Sequence, residues 1–293
     1  MKTALQGKPF RSMTSTFSTY RHSEKASLPF KLKIECSSLC NIQCEMCPHN
    51  PNVGLKRKKG VLKFENFKKI FDEINPAYLN LTGIGEPFLN KDLFKIVRYA
   101  KNKKTMVKLD TNATLLTQEN IDKILSTKID IISTSIDGAT KDSYEKIRKG
   151  ANFNTLKVNV KKLIKSRNKN KSKTKIHMFF VLQENNLKDL PKFIELAEEL
   201  GVDYLAGSFV VTLGMNNNEE NKLLKIKRET KEILSETKKL LKKSKIEVSI
   251  DSLLRYLETN NRKHQYNKEK PCYMPWYSTF ITWDGKVNPC DFS

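Results

Sequence analysis

Nowhere in the 293 residues do about 18 apolar residues run uninterrupted, which excludes an ordinary membrane-crossing helix. The N-terminus also lacks the compact apolar stretch and small-residue cleavage site of a secretory signal. Acidic residues are outnumbered by basic ones. Met1 to His22 contains no acidic residue, a composition that suits a transit peptide, but no amphipathic helix accompanies it, so a floppy or surface-packed extension is expected. The chain therefore reads as cytoplasmic, without a membrane partner. Across the whole sequence 54 Lys and Arg stand against 32 Asp and Glu, a formal charge of +22. These basic residues are spread over the polar faces of nearly every expected helix, with no aromatic-and-basic platform or nucleic-acid motif beside them. The charge alone does not make a nucleic-acid binder.

What is present is an apolar content of 38%, enough in a chain of this length for one large core. Short apolar runs alternate with helical patterns from Leu32 to Val210. Strands are expected at Leu32 to Cys36, Tyr78 to Leu81, Met106 to Leu109, Ile131 to Ile136, Ile176 to Leu182 and Tyr204 to Val210. Between them lie helix faces such as Phe64, Phe67, Phe71 and Ile74, a helix opened by Thr117, and one stopped by Gly201. This rhythm predicts an α/β fold, either a partial barrel or an open doubly wound sheet, with ligand chemistry at the carboxyl ends of the strands. A long Lys-rich helix from Asn217 to Lys243 follows, packed on the core by its Ile226, Ile233 and Leu240 spacing. Next come a short strand at Ile246 to Ile250 and a polar linker over residues 260–270. Thr279 to Asn288, turning at Asp284-Gly285, has the signature of a hairpin.

Six cysteines decide more, four of them within the twelve residues from Cys36 to Cys47. Such crowding in a chain from a reducing compartment points to metal or redox chemistry. Cys40, Cys44 and Cys47 are separated by three and two residues just after the first strand. Thiolates suit zinc or an iron-sulfur cluster. Zinc would recruit His49, although the gap from Cys47 is short and the usual two-by-two arrangement is absent. A four-iron cluster on three protein thiolates leaves one iron open to another ligand.

This spacing resembles the signature of the radical S-adenosylmethionine (SAM) superfamily. The resemblance implies a partial (β/α)6 TIM-like barrel with a [4Fe-4S] cluster on Cys40, Cys44 and Cys47, whose open iron chelates SAM. Reductive cleavage then gives methionine and a 5'-deoxyadenosyl radical that takes a hydrogen atom from substrate. Met46 falls beside the adenine. Thr82 to Pro87 resembles the family's Gly-Gly-Glu-Pro motif, with Ile84 as a departure. It assigns Gly83, Gly85 and Glu86 to the methionine amino group. Ser135 and Asp137 resemble ribose-binding positions, Arg148 a partner of the methionine carboxylate, and Leu182 an adenine contact. The segment from Cys272 to Phe292 resembles the start of a SPASM/twitch extension, a small β-hairpin unit that carries auxiliary iron-sulfur clusters. Cys272 and Cys290 supply at most half of a tetrathiolate site, so an auxiliary cluster needs ligands beyond these two. Cys36 is a remote spare. Asp291, in Cys290-Asp291-Phe292, resembles a proton-accepting base of anaerobic sulfatase-maturating enzymes.

The expected organisation is an N-terminal extension over residues 1–29, a radical SAM core over 30–215, a helical and linker bridge over 216–270, and an incomplete SPASM/twitch region over 271–293. The SPASM resemblance implies a maturase-type enzyme acting on a peptide or protein, with an electron donor such as flavodoxin or ferredoxin. The alternatives are a zinc-dependent basic nucleic-acid-binding protein, and a radical SAM enzyme acting on RNA or on a cofactor precursor.

Overall fold

Alternation along the strands decides what each face of the sheet does. The computed structural model describes residues 28–50, 57–209, 227–259 and 274–289. Cys272, Cys290, Asp291, the linker 260–270, most of the N-terminal extension and the start of the Lys-rich helix lie outside them. The chain runs β1 (Lys31–Ile34), β2 (Gln43–Cys44), α1 (Phe64–Ile74), β3 (Tyr78–Leu81), α2 (Leu93–Asn102), β4 (Met106–Thr111), α3 (Gln118–Ser126), β5 (Ile131–Ser135) and α4 (Lys141–Ile147). It continues through β6 (Arg148–Lys149), α5 (Phe153–Lys169), β7 (Lys175–Leu182), α6 (Leu190–Leu200), β8 (Tyr204–Phe209) and α7 (Lys227–Lys243). The last elements are β9 (Glu247–Ser249), α8 (Asp251–Thr259), α9 (Met274–Tyr277), β10 (Ser278–Ile281) and β11 (Val287–Asn288).

Every second residue of β4 and β7 is buried, and the residues between are half-exposed or, at Lys175, exposed. Strand geometry sends successive side chains to opposite faces, so each strand serves two environments. On one face Leu32, Leu79, Val107, Leu109, Ile176 and Phe180 are sealed against the apolar faces of the helices, including Phe67, Ile96, Ile121 and Leu156. Local signals set the helix ends. Thr117 caps α3 through Asn120 N–H, Thr140 and Ser143 form a capping box on α4, and Gly201 closes α6 at φ 76°.

Among the described residues nine strands form one sheet in the order β11-β10-β1-β3-β4-β5-β7-β8-β9. All neighbours are parallel except the β10–β11 pair. Among the described residues its two end strands do not pair with each other, so the barrel they form is partial and open. The helix after residue 226 packs as expected, with Ile233 and Leu234 in the core.

The C-terminal hairpin expected over Thr279 to Asn288 is present as the antiparallel β10–β11 pair. The sequence does not show where it docks: β10 joins the barrel sheet parallel to β1, in register from Lys31 with Ser278 to Ile34 with Ile281. The reason is an open edge. β1 leaves one side unpaired by β3, and the buried run Ser278–Ile281 supplies the missing hydrogen bonds, aided by stacking of Phe30 on Tyr277 at 5.3 Å. The turn beyond it is of the expected kind, with Gly285 at φ 89°.

Candidate active site

The cysteine loop leaves the carboxyl end of β1 and is fastened at two points. Cys44 lies in a two-residue antiparallel ribbon, β2 with β6, directly opposite Arg148. Beside it Glu45 N–H donates to the Ile147 carbonyl at 2.8 Å. The second fastening is the turn after β3. A Cβ on Gly85 would lie 2.3 Å from the Ser37 carbonyl oxygen and 2.4 Å from that of Leu39, so only glycine lets this turn press on the cysteine loop. Glu86 N–H then donates to the Leu39 carbonyl at 2.7 Å.

Two of the thiols accept polar hydrogens. Cys47 Sγ takes the His49 N–H at 3.4 Å and Cys40 Sγ faces Asn112 Nδ2 at 3.8 Å. Such donors favour the thiolate form. Burial works against it, pushing Cys40 and Cys47 up and Cys44 up to about 12, with the Arg148 charge partly offsetting the effect at Cys44. Metal binding would displace these protons and supply the missing positive charge. Cys36 is different. It sits in the apolar core without exposure, far above its ordinary range through burial and then Glu35, and takes no part in the loop's chemistry. Among the described residues no three His, Cys, Asp or Glu side chains converge on a single-ion site. A cluster that takes each thiolate on a different iron asks for wider spacing than one zinc ion does.

Glu86 is 1% exposed and accepts three hydrogen bonds, fewer than the roughly four that a carboxylate can take. Its carboxylate accepts from Thr111 Oγ1 and Asn112 N–H, both at 2.8 Å, and from Phe88 N–H at 3.3 Å. Burial nevertheless pushes its pKa up to about 7 against those hydrogen bonds. Arg148 Nη2 pairs with Asp137 Oδ2 at 2.7 Å in a nearly dry setting, and Arg148 Nε is buried without a partner. Asp137 Oδ1 accepts the Val181 N–H at 2.8 Å.

A cavity of about 520 Å³, well within the range of small-molecule sites, gathers these groups. Cys40, Cys44, Cys47 and Met46 form one wall. Gly83, Gly85, Glu86, Ser135 and Arg148 form others, so eight residues from separate parts of the sequence, with Met46 a ninth, meet at the strand ends. Two expected contacts do not reach it. Asp137 is wholly buried, its Oδ2 in ion-pair contact with the guanidinium of Arg148 and its Oδ1 accepting a backbone amide, so it faces Arg148 and not the cavity. Leu182 points to the helix face of β7 with no exposure, and by alternation Phe179 and Val181 line the cavity instead. A larger cavity of about 890 Å³, walled by Lys101, Asp130 and Thr174, carries none of these groups.

Sequence reasoning missed Thr111 and Asn112, which complete the Glu86 and Cys40 environments. It also missed Glu35. This fully buried carboxylate pairs with Arg57 and accepts from Ile84 N–H at 3.2 Å and Trp283 N–H at 3.3 Å, tying the Gly83-Gly85 turn to the C-terminal hairpin. A charged residue closing an apolar strand beside Cys36 was the available signal.

An open α/β barrel with three soft thiols and a cofactor-sized cavity at its strand ends defines a cofactor-dependent enzyme of the iron-sulfur kind. The Radical SAM superfamily profile matches residues 34–197, and the chain belongs to that superfamily. It is 28% identical over 276 residues to the AdoMet-dependent heme synthase of Methanosarcina barkeri, an alignment covering 88% of this chain and 75% of that protein. To the PqqA peptide cyclase of Granulibacter bethesdensis it is 26% identical over 176 residues, 59% of this chain and 45% of the relative. The fold matches that of Streptococcus suis SuiB bound to S-adenosylmethionine with a TM-score of 0.68 at 14% identity, covering 93% of this chain and 63% of SuiB. The chain thus spans less than half of the peptide cyclase and under two thirds of SuiB. It is a radical SAM enzyme, and enzymes of this superfamily use a [4Fe-4S] cluster and SAM. The residues fit those groups: three thiols share one wall, and the orphaned Arg148 Nε lies beside a cavity open to an anionic partner. Among the described residues no helix is long and apolar enough to cross a membrane.

Proposed function

We infer that this enzyme cleaves SAM reductively and modifies a peptide or protein substrate as a maturase. The observation that carries the reading is the convergence of Cys40, Cys44 and Cys47 with Glu86, Ser135 and Arg148 on one cavity. Cys40, Cys44 and Cys47 would hold a [4Fe-4S] cluster, which supplies the electron that splits SAM into methionine and the 5'-deoxyadenosyl radical. Glu86, with the close-packed backbone of Gly83 and Gly85, takes the methionine ammonium. Arg148, positioned by Asp137, takes the methionine carboxylate, Ser135 faces the ribose, and Met46 with Val181 borders the adenine.

Support for a peptide substrate comes from relatives named PqqA peptide cyclase and mycofactocin maturase MftC. A SPASM/twitch assignment of residues 271–293, a core over 30–215 and a bridge over 216–270 belong to the same reading. So do Cys272 and Cys290 as auxiliary-cluster ligands, Asp291 as base, and flavodoxin or ferredoxin as electron donor. A second reading, modification of a cofactor precursor, is supported by the relative named heme synthase, whose alignment covers 88% of the chain. Superfamily membership sets aside the zinc-dependent nucleic-acid binder.

Anaerobic reconstitution, iron analysis and an assay for 5'-deoxyadenosine after dithionite reduction test the reading. Iron-dependent 5'-deoxyadenosine is expected; its absence from an iron-loaded, reduced sample would refute it. Glu86 adds a pH signature. Its carboxyl is pushed up to about 7 by burial, so an ammonium meets a carboxylate above that pH and a neutral acid below it. SAM affinity is expected to fall as pH drops through about 7, and Glu86→Gln to weaken binding about tenfold or more and flatten the profile. Equilibrium titration of SAM on either side of that pH reads both effects. The stability contribution has the opposite sense: a carboxyl raised above its unfolded value binds its proton more tightly when folded, so stability declines as pH rises from the ordinary carboxylate range to about 7.

A further inference from the structure

A carboxylate removed from water destabilises a fold unless donors replace the lost hydration. Glu35, just past the end of β1, is 0% exposed and directs its oxygens to three groups that are far apart in sequence. Oε1 pairs with Arg57 and accepts the Ile84 N–H at 3.2 Å, and Oε2 accepts the Trp283 N–H at 3.3 Å. The stem of the side chain is equally confined, since a Cβ on Gly83 would lie 2.5 Å from Glu35 Cγ. Glu35 does not line the cavity, so it can act on the site only through the groups it holds.

On one side those groups belong to the cofactor site. Gly83, Ile84 and Gly85 line the cavity, and the Ile84 carbonyl faces Cys47 Sγ at 3.8 Å, so Ile84 stands between Glu35 and a thiol of the cysteine loop. On the other side is the turn of the C-terminal hairpin. Trp283, in that turn, donates through Nε1 to the Lys58 carbonyl at 3.3 Å. Its ring packs so closely on Gly60 that a Cβ there would come within 2.5 Å of it. Gly60 in turn exchanges hydrogen bonds with Ser38 of the cysteine loop, donating its N–H to Oγ at 2.8 Å and accepting the Ser38 N–H at 2.9 Å. Trp283 itself lies outside the cavity wall. The indole seats the hairpin, and the backbone N–H of the same residue completes the Glu35 carboxylate.

We propose that Glu35 is a positioning residue that couples the seating of the C-terminal hairpin to SAM binding. With the hairpin seated, the Trp283 N–H fixes Oε2 and leaves Oε1 to hold the Ile84 amide, which keeps the glycine turn in place beside the cysteine loop. When the hairpin lifts, the carboxylate loses one of its two amide donors. It then turns with Arg57, whose side chain is 25% exposed, and releases Ile84. Coupling of this kind is reciprocal, so SAM bound at the glycine turn holds the hairpin in its seat. The inference rests on the reading that SAM occupies the cavity with its methionine end at that turn.

The test is hydrogen exchange of the reconstituted full chain with and without SAM. It is read at peptides covering residues 280–286 and, as a reference at the opposite ends of the strands, residues 201–205. SAM should slow exchange at the hairpin about fivefold or more and leave the reference unchanged. Slowing at neither place, or equally at both, would overturn the coupling. SAM titration of samples of equal iron content reads the reverse direction. Trp283→Ala unseats the turn without touching the cavity and should weaken SAM about fivefold or more; wild-type affinity would overturn the proposal. Glu35→Gln keeps the shape but has one acceptor oxygen in place of two, so it should weaken SAM by a similar factor and abolish the hairpin's response to it. The combined variant should lose less than the product of the two factors, and a full product would mean that the residues act separately. If either variant fails to load iron, the wild-type exchange decides alone. Wild type that binds SAM with hairpin exchange unchanged overturns the coupling only, and wild type that binds no SAM overturns the reading of the site together with the coupling.

Discussion

Replacing Cys44 with alanine is expected to reduce both the iron bound on reconstitution and the 5'-deoxyadenosine formed to background. Cys44 is the cysteine with the least freedom to be replaced by a neighbour. It is 8% exposed and its backbone is paired with Arg148 in the β2–β6 ribbon. Cys40 and Cys47 are each already placed, by Asn112 and by His49, and cannot move into its position without breaking those contacts. Two thiolates leave a four-iron cluster two ligands short, and neither Cys36 nor the core around it can shift to help. Cys36→Ala is the matched control. It removes a buried thiol from the core at a cost on the order of 1 kcal/mol, and iron content and 5'-deoxyadenosine should stay at wild-type levels. Iron analysis, the visible absorption of the cluster and chromatographic product assay read all three proteins. Equal iron in Cys44→Ala and wild type would remove Cys44 from the ligand set.

The contrast between Cys44 and Cys36 also explains what could be read from the sequence. The strand and helix rhythm is carried by local patterns: alternation within a strand and three-to-four spacing within a helix depend on neighbours a few residues away. Strands at Tyr78–Leu81 and Ile176 to Leu182 therefore fall where the sequence puts them, to within a residue. Spacing alone distinguishes Cys40, Cys44 and Cys47 from Cys36. What stayed hidden depends on partners far along the chain. β10 reaches β1 across some 250 residues, and Glu35 meets Trp283 across the same gap. No local pattern encodes such a meeting. Leu182 failed for a different reason, since at a strand end the choice of face turns on a single residue, and Phe179 and Val181 have the parity that faces the cavity. In the sequence the lysines of β1 and β4 belong to a diffuse background charge, because their common face exists only once the strands are paired.

Asp137, behind the cavity wall, is bound to the Arg148 that lines it, and its removal should produce a large loss of stability. Its side chain is 0% exposed and that of its partner Arg148 is 8% exposed. The pair does not gain much over apolar residues of the same size, because both ions give up their hydration. Breaking it is another matter. Asp137→Asn keeps the shape and removes the charge, so Arg148 stays buried and cationic; burial alone would lower its pKa, and Asp137 is the main group holding it up. An uncompensated buried ion costs about 3–5 kcal/mol, a large share of the stability of a typical domain. Denaturant unfolding should show that loss in Asp137→Asn, and, if Arg148 takes the methionine carboxylate as proposed, SAM affinity should fall in the fraction that remains folded, because the guanidinium loses its anchor. Arg148→Met should separate the two roles. With no guanidinium left to bury, the double variant Asp137→Asn, Arg148→Met should recover much of the stability and none of the SAM affinity. Wild-type stability in Asp137→Asn would mean that water or another anion already balances Arg148; SAM affinity restored in the double variant would mean that Arg148 does not bind the cofactor.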